Sequence, residues 1–267
     1  MRYDRAVSTI AGWYTEPLFW WFPVGSLVVS VVAFFIYAAP LTWLAWADPA
    51  WARPYRLQHR PPREQQLVGA SIGWWVVNNL CLALATVAAW PLLRLSAVHM
   101  GAVPPWWVIV GQVVGLVYLD DLLYYWFHRG MHGRWLYKRV HGWHHRIVTP
   151  WAVTGHYMHP VEYVLTGTIA LLGPVLLGAH VVTLWVWFAV RQWEAAEGHC
   201  GYDFPASPTH LFPGSDGARH HDFHHARVRG NYAGFFPIWD RVFGTFAKGY
   251  AELVTTPAVS RRRARGR

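Results

Sequence analysis

Four long stretches of the chain are almost free of charged side chains, and they alternate with polar segments rich in arginine and histidine. The first, Leu18 to Ala39, has 22 residues without a charge. At about 1.5 Å per residue, a helix of that length crosses the hydrocarbon core of a bilayer. A second such run is Leu67 to Trp90, and a third, Trp106 to Leu119, ends at Asp120 and Asp121. These runs predict three membrane helices, the last of which meets water or a polar site.

A fourth apolar region, Val164 to Phe188, contains Gly173 and Pro174 near its middle. Proline interrupts helical hydrogen bonding, so the region is either one kinked span or two half-spans that form a hairpin. We therefore predict an all-α membrane bundle of about four spans, with three or five as the alternatives. We expect a histidine-rich cap for two metal ions on its cytosolic side.

The histidines supply the candidate chemistry, because 14 of the 16 lie between Asp120 and Phe243. Each imidazole carries a donor and an acceptor that need partners, and clustered imidazoles indicate a bound metal. Residues three and four apart share a face of a helix, so each group is expected to present its rings together. The eight histidines exceed the needs of one metal and predict two. The groups are His128 with His132, His141 with His144 and His145, and His221 with His224 and His225.

Three carboxylates near these groups are candidates for orienting imidazoles, as carboxylates often do behind metal ligands. Asp121 lies on the same helical stripe as His128, although it is equally explained as a solvated cap at the membrane surface. Glu162 falls in the first turn of a helix that His159 and Pro160 open, where it caps the helix or orients a ligand. The third carboxylate is Asp222.

The net charge of +9 comes from 21 arginines and only two lysines. By the positive-inside rule, arginine-rich segments outside the spans are cytoplasmic, which places the histidine groups on that face. A basic tail at residues 261–267 also suggests nucleic-acid binding, but nothing else in the sequence supports it, and contact with anionic lipid headgroups or disorder explains the tail better. Besides the tail, the arginines outside the spans that support this orientation are Arg53, Arg56, Arg60, Arg63, Arg129, Arg134 and Arg139.

Residues 120–245 resemble the fatty acid hydroxylase superfamily of membrane di-iron oxygenases, which includes sterol desaturases, and within it the C-4 methylsterol monooxygenase group. His156 departs from the pattern, and its role stays open together with that of His220. The motifs that carry the resemblance are Asp121, His128-Arg129 with His132, His141-x-x-His144-His145, His159-Pro160-x-Glu162, His199-x-Gly201-Tyr202-Asp203-x-Pro205, Arg219 to His225, Gly230-Asn231-Tyr232 and Trp239 to Thr245.

The resemblance implies one membrane-embedded domain over residues 1–267 with a motif-bearing core at 120–245. It implies two iron ions, O2 as co-substrate, and electrons from an external carrier such as cytochrome b5 or ferredoxin with NAD(P)H. For the sterol group it implies stepwise oxidation of a methyl group on the sterol ring. The implied location is the endoplasmic reticulum in a eukaryote and the inner or plasma membrane in a bacterium.

Histidine and carboxylate ligands suit redox-active iron better than magnesium or calcium, and the absence of a thiolate cluster argues against iron–sulfur. Zinc also binds such ligands. A metal cap at the end of an apolar bundle predicts a lipid substrate. The ten histidines that we expect to bind metal are His128, His132, His141, His144, His145, His159, His199, His221, His224 and His225.

Three alternatives remain at this stage. Fatty-acyl or carotenoid hydroxylation, or desaturation, would use the same ligands, because substrate shape decides which bond is oxidised. A histidine-rich metal transporter would place its ligands near the midplane of the spans, whereas these histidines follow the spans. A bis-histidine haem protein would need histidines within facing spans, where His180 is the only clear one.

Overall fold

The computed structural model describes residues 10–58, 67–234 and 236–250. Within these ranges the chain is helical, with turns and two isolated bridges, and it contains no strand. Arg60, Arg63 and the arginine tail, which contributed to the predicted orientation, lie outside the described residues. The principal helices are α1 (Gly25–Ala47), α2 (Val68–Leu93), α3 (Trp106–Met131), α4 (Arg134–Arg139), α5 (Pro160–Leu177), α6 (Val181–Gly198), α7 (Ala218–Arg227) and α8 (Pro237–Val242).

Four helices of the described chain are long and apolar enough to cross a membrane, which confirms the prediction of four spans. They are α2, α3, α5 and the first span, Pro17–Ala47, in which α1 follows a short helix (Pro17–Phe19) and a π-helix (Trp20–Val24). Their outward faces carry exposed leucines, such as Leu80, Leu84 and Leu92 on α2. Exposed apolar side chains over the length of a helix are expected where the surroundings are lipid.

The fourth apolar region forms two helices, α5 and α6, joined by a tight turn. Since α5 alone is long enough to cross the membrane, the structure shows neither a single kinked span nor a pair of half-spans. The break falls at Gly178 rather than at Pro174, which lies inside α5. Gly178 has φ +57 in the left-handed region, and a Cβ there would lie 2.8 Å from Cβ of Ala97. Glycine at this position therefore ends the helix, and the His180 side chain starts the next one by accepting a hydrogen bond from Val182 N–H.

The third span does not stop at the two aspartates, because α3 continues to Met131 and carries Asp120 and Asp121 inside the protein. Neither carboxylate is at a solvated surface: the two side chains are each about 6% exposed. The continuation brings His128 and the C-cap residue His132 beyond the apolar part of the helix.

The cap lies at one end of the bundle, where α1, α3 and α6 end and where α2 and α5 begin. It contains α4, α7, α8 and 3-10 helices at Arg53–Tyr55, His141–Arg146, Ala152–His156 and Pro208–Leu211. Phe34 and Trp75 of the spans share one buried cluster with Trp151 and Tyr202 of the cap. Spans and cap therefore share a core, and the single domain over residues 1–267 stays a prediction because its ends lie outside the described residues.

Candidate metal centre

Five histidines place their Nε2 atoms around one point in the cap. Nε2 of His141 lies 3.1 Å from that of His128, 3.0 Å from that of His132 and 3.0 Å from that of His145. Nε2 of His224 lies 3.1 Å from those of His132 and His145. These residues form the first histidine group, and all of them except the half-buried His132 are buried.

Four further histidines form a second group beside the first. Nε2 of His199 lies 3.3 Å from that of His144, 3.1 Å from that of His221 and 3.2 Å from that of His225. All four rings are buried. The two groups are adjacent, because the ring of His145 in the first group lies 5.0 Å from the ring of His225 in the second. The arrangement offers two neighbouring metal positions.

Each histidine triplet divides between the two groups, which corrects the prediction that a triplet presents its rings on one face. In the second triplet His221 and His225 enter the second group and His224 enters the first. In the first triplet the 3-10 helix His141–Arg146, rather than the predicted α-helix, sends His144 alone to the second group. In each triplet, the histidine three residues after the first one therefore belongs to the other group: His144 after His141, and His224 after His221.

Backbone carbonyls hold the outer nitrogens of four of these rings. Nδ1 of His128 lies 2.6 Å from Tyr232 O, and Nδ1 of His224 lies 2.7 Å from Gly230 O. In the second group, Nδ1 of His225 lies 2.7 Å from Ile147 O, and Nδ1 of His199 lies 2.8 Å from Ala195 O. A carbonyl only accepts, so each Nδ1 carries the hydrogen and each Nε2 presents a lone pair inward.

This convergence of lone pairs is what a metal requires. Two unprotonated nitrogens about 3 Å apart repel each other unless a cation lies between them, so the nine rings fit metal ions better than a hydrogen-bonded core. Burial and the neighbouring imidazoles lower the pKa of His132 to about 2, and burial lowers the pKa of His199 to about 4. These two rings are therefore neutral at physiological pH, which is the form that binds metal.

Glu162 lies directly behind one ring of the first group. Its Oε1 lies 2.6 Å from Nδ1 of His141, and the carboxylate is buried at the start of α5. A carboxylate behind an imidazole fixes the orientation of the ring and raises its basicity. His141 is thus the member of the first group whose ring contacts a carboxyl group.

Replacing Glu162 with glutamine should lower iron affinity or turnover by about 10- to 100-fold, the usual cost of losing such a partner. The amide oxygen keeps a hydrogen bond to His141 but removes the negative charge behind the ring. Iron content and turnover of Glu162→Gln should be compared with those of Glu16→Gln, a change at the opposite end of the bundle. Equal values for the two variants would mean that Glu162 does not support the metal centre.

The other two predicted carboxylates, Asp121 and Asp222, accept hydrogen bonds from neighbouring loops. Asp121 accepts hydrogen bonds from the N–H groups of Gly234 (2.8 Å) and Phe236 (3.2 Å). Asp222 accepts from Nε2 of Gln58 at 3.0 Å, and burial raises the pKa of its carboxyl to about 7. Their contacts position the polypeptide around the centre, and a direct role in orienting an imidazole stays a prediction for both.

Three histidines that the sequence marked lie outside both groups. His159, expected as the tenth ligand, is the N-cap of α5, where its Nδ1 accepts from Val161 N–H at 3.2 Å. The ring of His156 stacks on Phe34 with a centroid distance of 4.1 Å. Nε2 of His220 lies 3.0 Å from Oδ2 of Asp240. The structure therefore brings together nine of the ten predicted ligands and leaves out His159.

Asp240 is a residue that sequence reasoning missed. It is fully buried, and besides His220 it accepts from Tyr232 N–H (2.8 Å), Ala233 N–H (3.0 Å) and Thr245 Oγ1 (2.6 Å). Because Tyr232 O in turn holds Nδ1 of His128, Asp240 organises the loop behind that ring. Its signal in the sequence was its place in the motif Trp239 to Thr245.

An elongated cavity of about 230 Å³ reaches the centre from the apolar part of the bundle. Its lining extends from Phe22 and Leu93, at the far end of the spans, to His199 and His221 in the second group. Most of the wall is apolar. A lipid could therefore reach the metal centre from within the membrane.

A helical membrane protein with two histidine-lined metal positions at the end of an apolar cavity belongs to the class of membrane metalloenzymes that act on lipids. The comparisons with known proteins make this more specific. The sequence profile of the family described as fatty acid hydroxylase matches residues 113–245. The chain belongs to the fatty acid hydroxylase family, whose members are non-haem di-iron oxygenases, and it is an oxygenase enzyme.

Several curated proteins are similar over most of the chain. Methylsterol monooxygenase 2-2 of Arabidopsis thaliana is 34% identical over 239 residues, which are 87% of this chain and 88% of the relative. Methylsterol monooxygenase 1 of Rattus norvegicus is 40% identical over 230 residues, 85% of this chain and 78% of the relative. Very-long-chain aldehyde decarbonylase GL1-8 of Oryza sativa is 34% identical over 228 residues, 83% and 84% of the two chains. No solved structure matches.

Proposed function

We propose that this protein is a membrane di-iron monooxygenase that uses O2 to oxidise a methyl C–H bond of a lipid, namely the C-4 methyl group of a sterol. The observation that carries the proposal is the convergence of nine Nε2 atoms in two adjacent groups at the end of an apolar cavity. The similarity to methylsterol monooxygenases over more than four fifths of the chain supports the choice of substrate.

The first histidine group would hold one iron and the second group the other. Bound iron supplies the reduction of O2 to an oxidant that attacks an unactivated C–H bond. The protein orients five of the nine rings, through the four carbonyls and Glu162 behind them, and the apolar cavity excludes water from the lipid. The C–H bond becomes C–OH, the second oxygen atom leaves as water, and two electrons and two protons are consumed.

We propose that the electrons come from a separate carrier, such as cytochrome b5 or ferredoxin, with NAD(P)H as their source. Within the described chain, the candidate metal positions are the two histidine groups. Each turnover consumes two electrons, so repeated turnover needs an external electron donor.

The test is turnover of a 4-methylsterol by the iron-loaded protein under 18O2 with a reductase, NADPH and cytochrome b5 or ferredoxin. Mass spectrometry should show one 18O atom in a 4-hydroxymethyl product, or in its further oxidation products. If only fatty-acyl chains or carotenoids acquire oxygen or a double bond, the substrate assignment is wrong. Conversion of a long-chain aldehyde to a hydrocarbon instead would favour the activity named for the rice relatives.

We also propose that the metal centre faces the cytoplasm. Arginines of the described chain concentrate at the cap end, where Arg53, Arg56, Arg129 and Arg134 lie, while Arg94 follows α2 at the opposite end. The turn between α5 and α6 is also at that opposite end, since Val181 N–H donates to His99 O at 3.0 Å. The asymmetry follows the positive-inside rule.

Single-cysteine probes should report this orientation. In intact cells, a membrane-impermeant maleimide should label Ala102→Cys, in the exposed loop between α2 and α3, and leave Arg134→Cys unlabelled until the cells are opened. A reporter fused after Arg267 should be active only where cytoplasmic reporters are active. Labelling of Arg134→Cys in intact cells, with Ala102→Cys protected, would reverse the orientation.

A further inference from the structure

The short helix α4 carries its charged side chains on one side. That exposed side lines one shallow depression of the cap surface, and we call it the basic face of α4; it is formed by Arg134, Trp135, Lys138 and Arg139. With 3.6 residues per turn, these positions share one side of the helix, and the half-buried Leu136 and Tyr137 lie on the opposite side. The helix therefore separates a charged outer surface from the interior of the cap.

No acidic side chain of the described chain pairs with the cations of the basic face. The 40 residues 122–161 contain five arginines and lysines and no aspartate or glutamate. The ion pairs of the described arginines lie elsewhere: Arg53 and Arg56, for example, are 3.1 and 2.8 Å from the carboxylate of Asp48. The basic face thus presents its charge to a partner outside the described chain.

The inner side of α4 contacts the first histidine group. The ring centroid of Tyr137 lies 5.4 Å from that of His132, 5.7 Å from that of His145 and 6.1 Å from that of His141. His132 is also the half-buried member of this group. The thickness of one helix, about 10–12 Å with its side chains, therefore separates the basic face from the first histidine group.

The position of α4 along the bundle places it outside the hydrocarbon of the membrane. Exposed Trp106 and Trp126 lie 20 residues apart on α3, which corresponds to about 30 Å, the thickness of the hydrocarbon core. Tryptophan favours the two membrane–water boundaries. Since α4 begins eight residues after Trp126, the basic face lies on the aqueous side of the nearer boundary.

We propose that the basic face of α4 is the docking surface for an acidic electron-carrier protein, whose electrons enter the first histidine group past Tyr137 and His132. Opposite charge steers such a carrier to this face, and tryptophan and arginine are the side chains that most often anchor a protein contact. The inference rests on the proposed function, in which each C–H oxidation consumes two electrons. Two reduced carriers are each oxidised by one electron, and the metal centre gains both electrons.

The first experiment measures binding of two acidic carriers, a [2Fe–2S] ferredoxin and the soluble domain of cytochrome b5, to iron-loaded protein in neutral detergent. At least one should bind, and salt should weaken the complex. The variant Arg134→Gln/Lys138→Gln/Arg139→Gln should bind it about 10-fold more weakly. The matched control Arg53→Gln/Arg56→Gln/Arg94→Gln removes the same charge from arginines that have carboxylate partners, and it should keep the affinity.

Three results of this experiment would overturn the proposal. They are binding of neither acidic carrier, equal weakening by the two triple variants, and equally tight binding of cytochrome c, which is a basic carrier. Each would show that acidic carriers do not recognise the basic face by its charge.

Cross-linking locates the contact in the natural protein. A carbodiimide joins lysine amines to carboxylates, and the chain has only two lysines, Lys138 on the basic face and the exposed Lys248. Mass spectrometry should find the carrier joined through Lys138. The variant Lys138→Arg keeps the charge, so it should lose this cross-link and keep the affinity. A carrier joined only through Lys248 would place the docking surface elsewhere.

Reduction kinetics test the route of the electrons. In stopped-flow measurements without O2 or lipid, the reduced carrier at low concentration should reduce the metal centre of the basic-face triple variant about 10-fold more slowly than that of the natural protein. Reduction by dithionite, a small reductant that needs no docking surface, should be unchanged, as should iron content. An undiminished rate with the carrier, together with loss of phosphatidylserine that copurifies with the natural protein, would assign the face to lipid headgroups instead.

Failure of this inference is distinguishable from failure of the proposed function, because binding and reduction are measured without turnover. Oxidation of a 4-methylsterol that is equally fast in the triple variant at low carrier concentration would keep the enzyme and remove the docking surface. Carrier binding and reduction that depend on the basic face, with no oxidation of any methylsterol, would keep the docking surface and remove the assigned reaction.

Discussion

Replacing His144 with alanine should abolish turnover and reduce bound iron from about two equivalents to one or fewer. The ring is buried, and its Nε2 lies in the second histidine group, 3.3 Å from that of His199. Its removal takes away one of four nitrogen ligands and leaves space that water can fill at that position. The loss should exceed the roughly 10- to 100-fold effect of removing a partner behind a ligand. Iron analysis and turnover of the purified variant measure it.

His99→Ala is the matched control, because His99 is an exposed histidine outside both groups, between α2 and α3. It should keep its iron and its activity. If His99→Ala abolished turnover while His144→Ala left iron content and turnover intact, the assignment of the site to these groups would be wrong.

Replacing Asp240 with alanine should destabilise the cap by at least about 3 kcal/mol, because several buried donors lose their acceptor at a cost of about 1–3 kcal/mol each. Burial by itself would raise the pKa of Asp240, but hydrogen bonds from His220, Thr245 and Ala233 N–H together lower it, so the carboxylate is charged. Without it, these donors lose their acceptor, and the loop that carries Tyr232 O behind His128 loses its support.

The free energy of unfolding in detergent measures this loss, and iron retention should fall with it. The ion pair of Glu16 with Arg94, 2.5 Å between Oε1 and an outer guanidinium nitrogen, provides the comparison because both side chains are partly exposed. Glu16→Ala should cost no more than about 1 kcal/mol. Equal destabilisation by Asp240→Ala and Glu16→Ala would show that the hydrogen bonds to Asp240 do not hold the loop in place.

Much of this architecture follows from local sequence rules. Long uncharged runs predict membrane helices because the bilayer demands them, and the four spans were confirmed. The pairs His128 with His132 and His221 with His225 are four residues apart on helices, so their convergence follows from helical geometry. Local spacing does not show where the second metal position lies relative to the first. The division of each triplet between the two groups could therefore not be predicted.

His159 shows another limit of the sequence. Histidine before proline at a helix start looks the same whether its ring binds metal or caps the helix, and the cap is what the structure shows. The carbonyls behind His128, His199, His224 and His225 have no signature at all, because every residue carries one. The pairing of Asp120 with Arg191 joins residues 71 positions apart, and only the packing of α3 against α6 brings them together.

The central claim is a two-metal centre built from histidine. Its most direct test is metal analysis, together with the absorption spectrum, of protein produced with ample iron. Two equivalents of iron per chain and no Soret band are the predicted result. A Soret band, or one equivalent that no iron supplement raises, would contradict the di-iron centre.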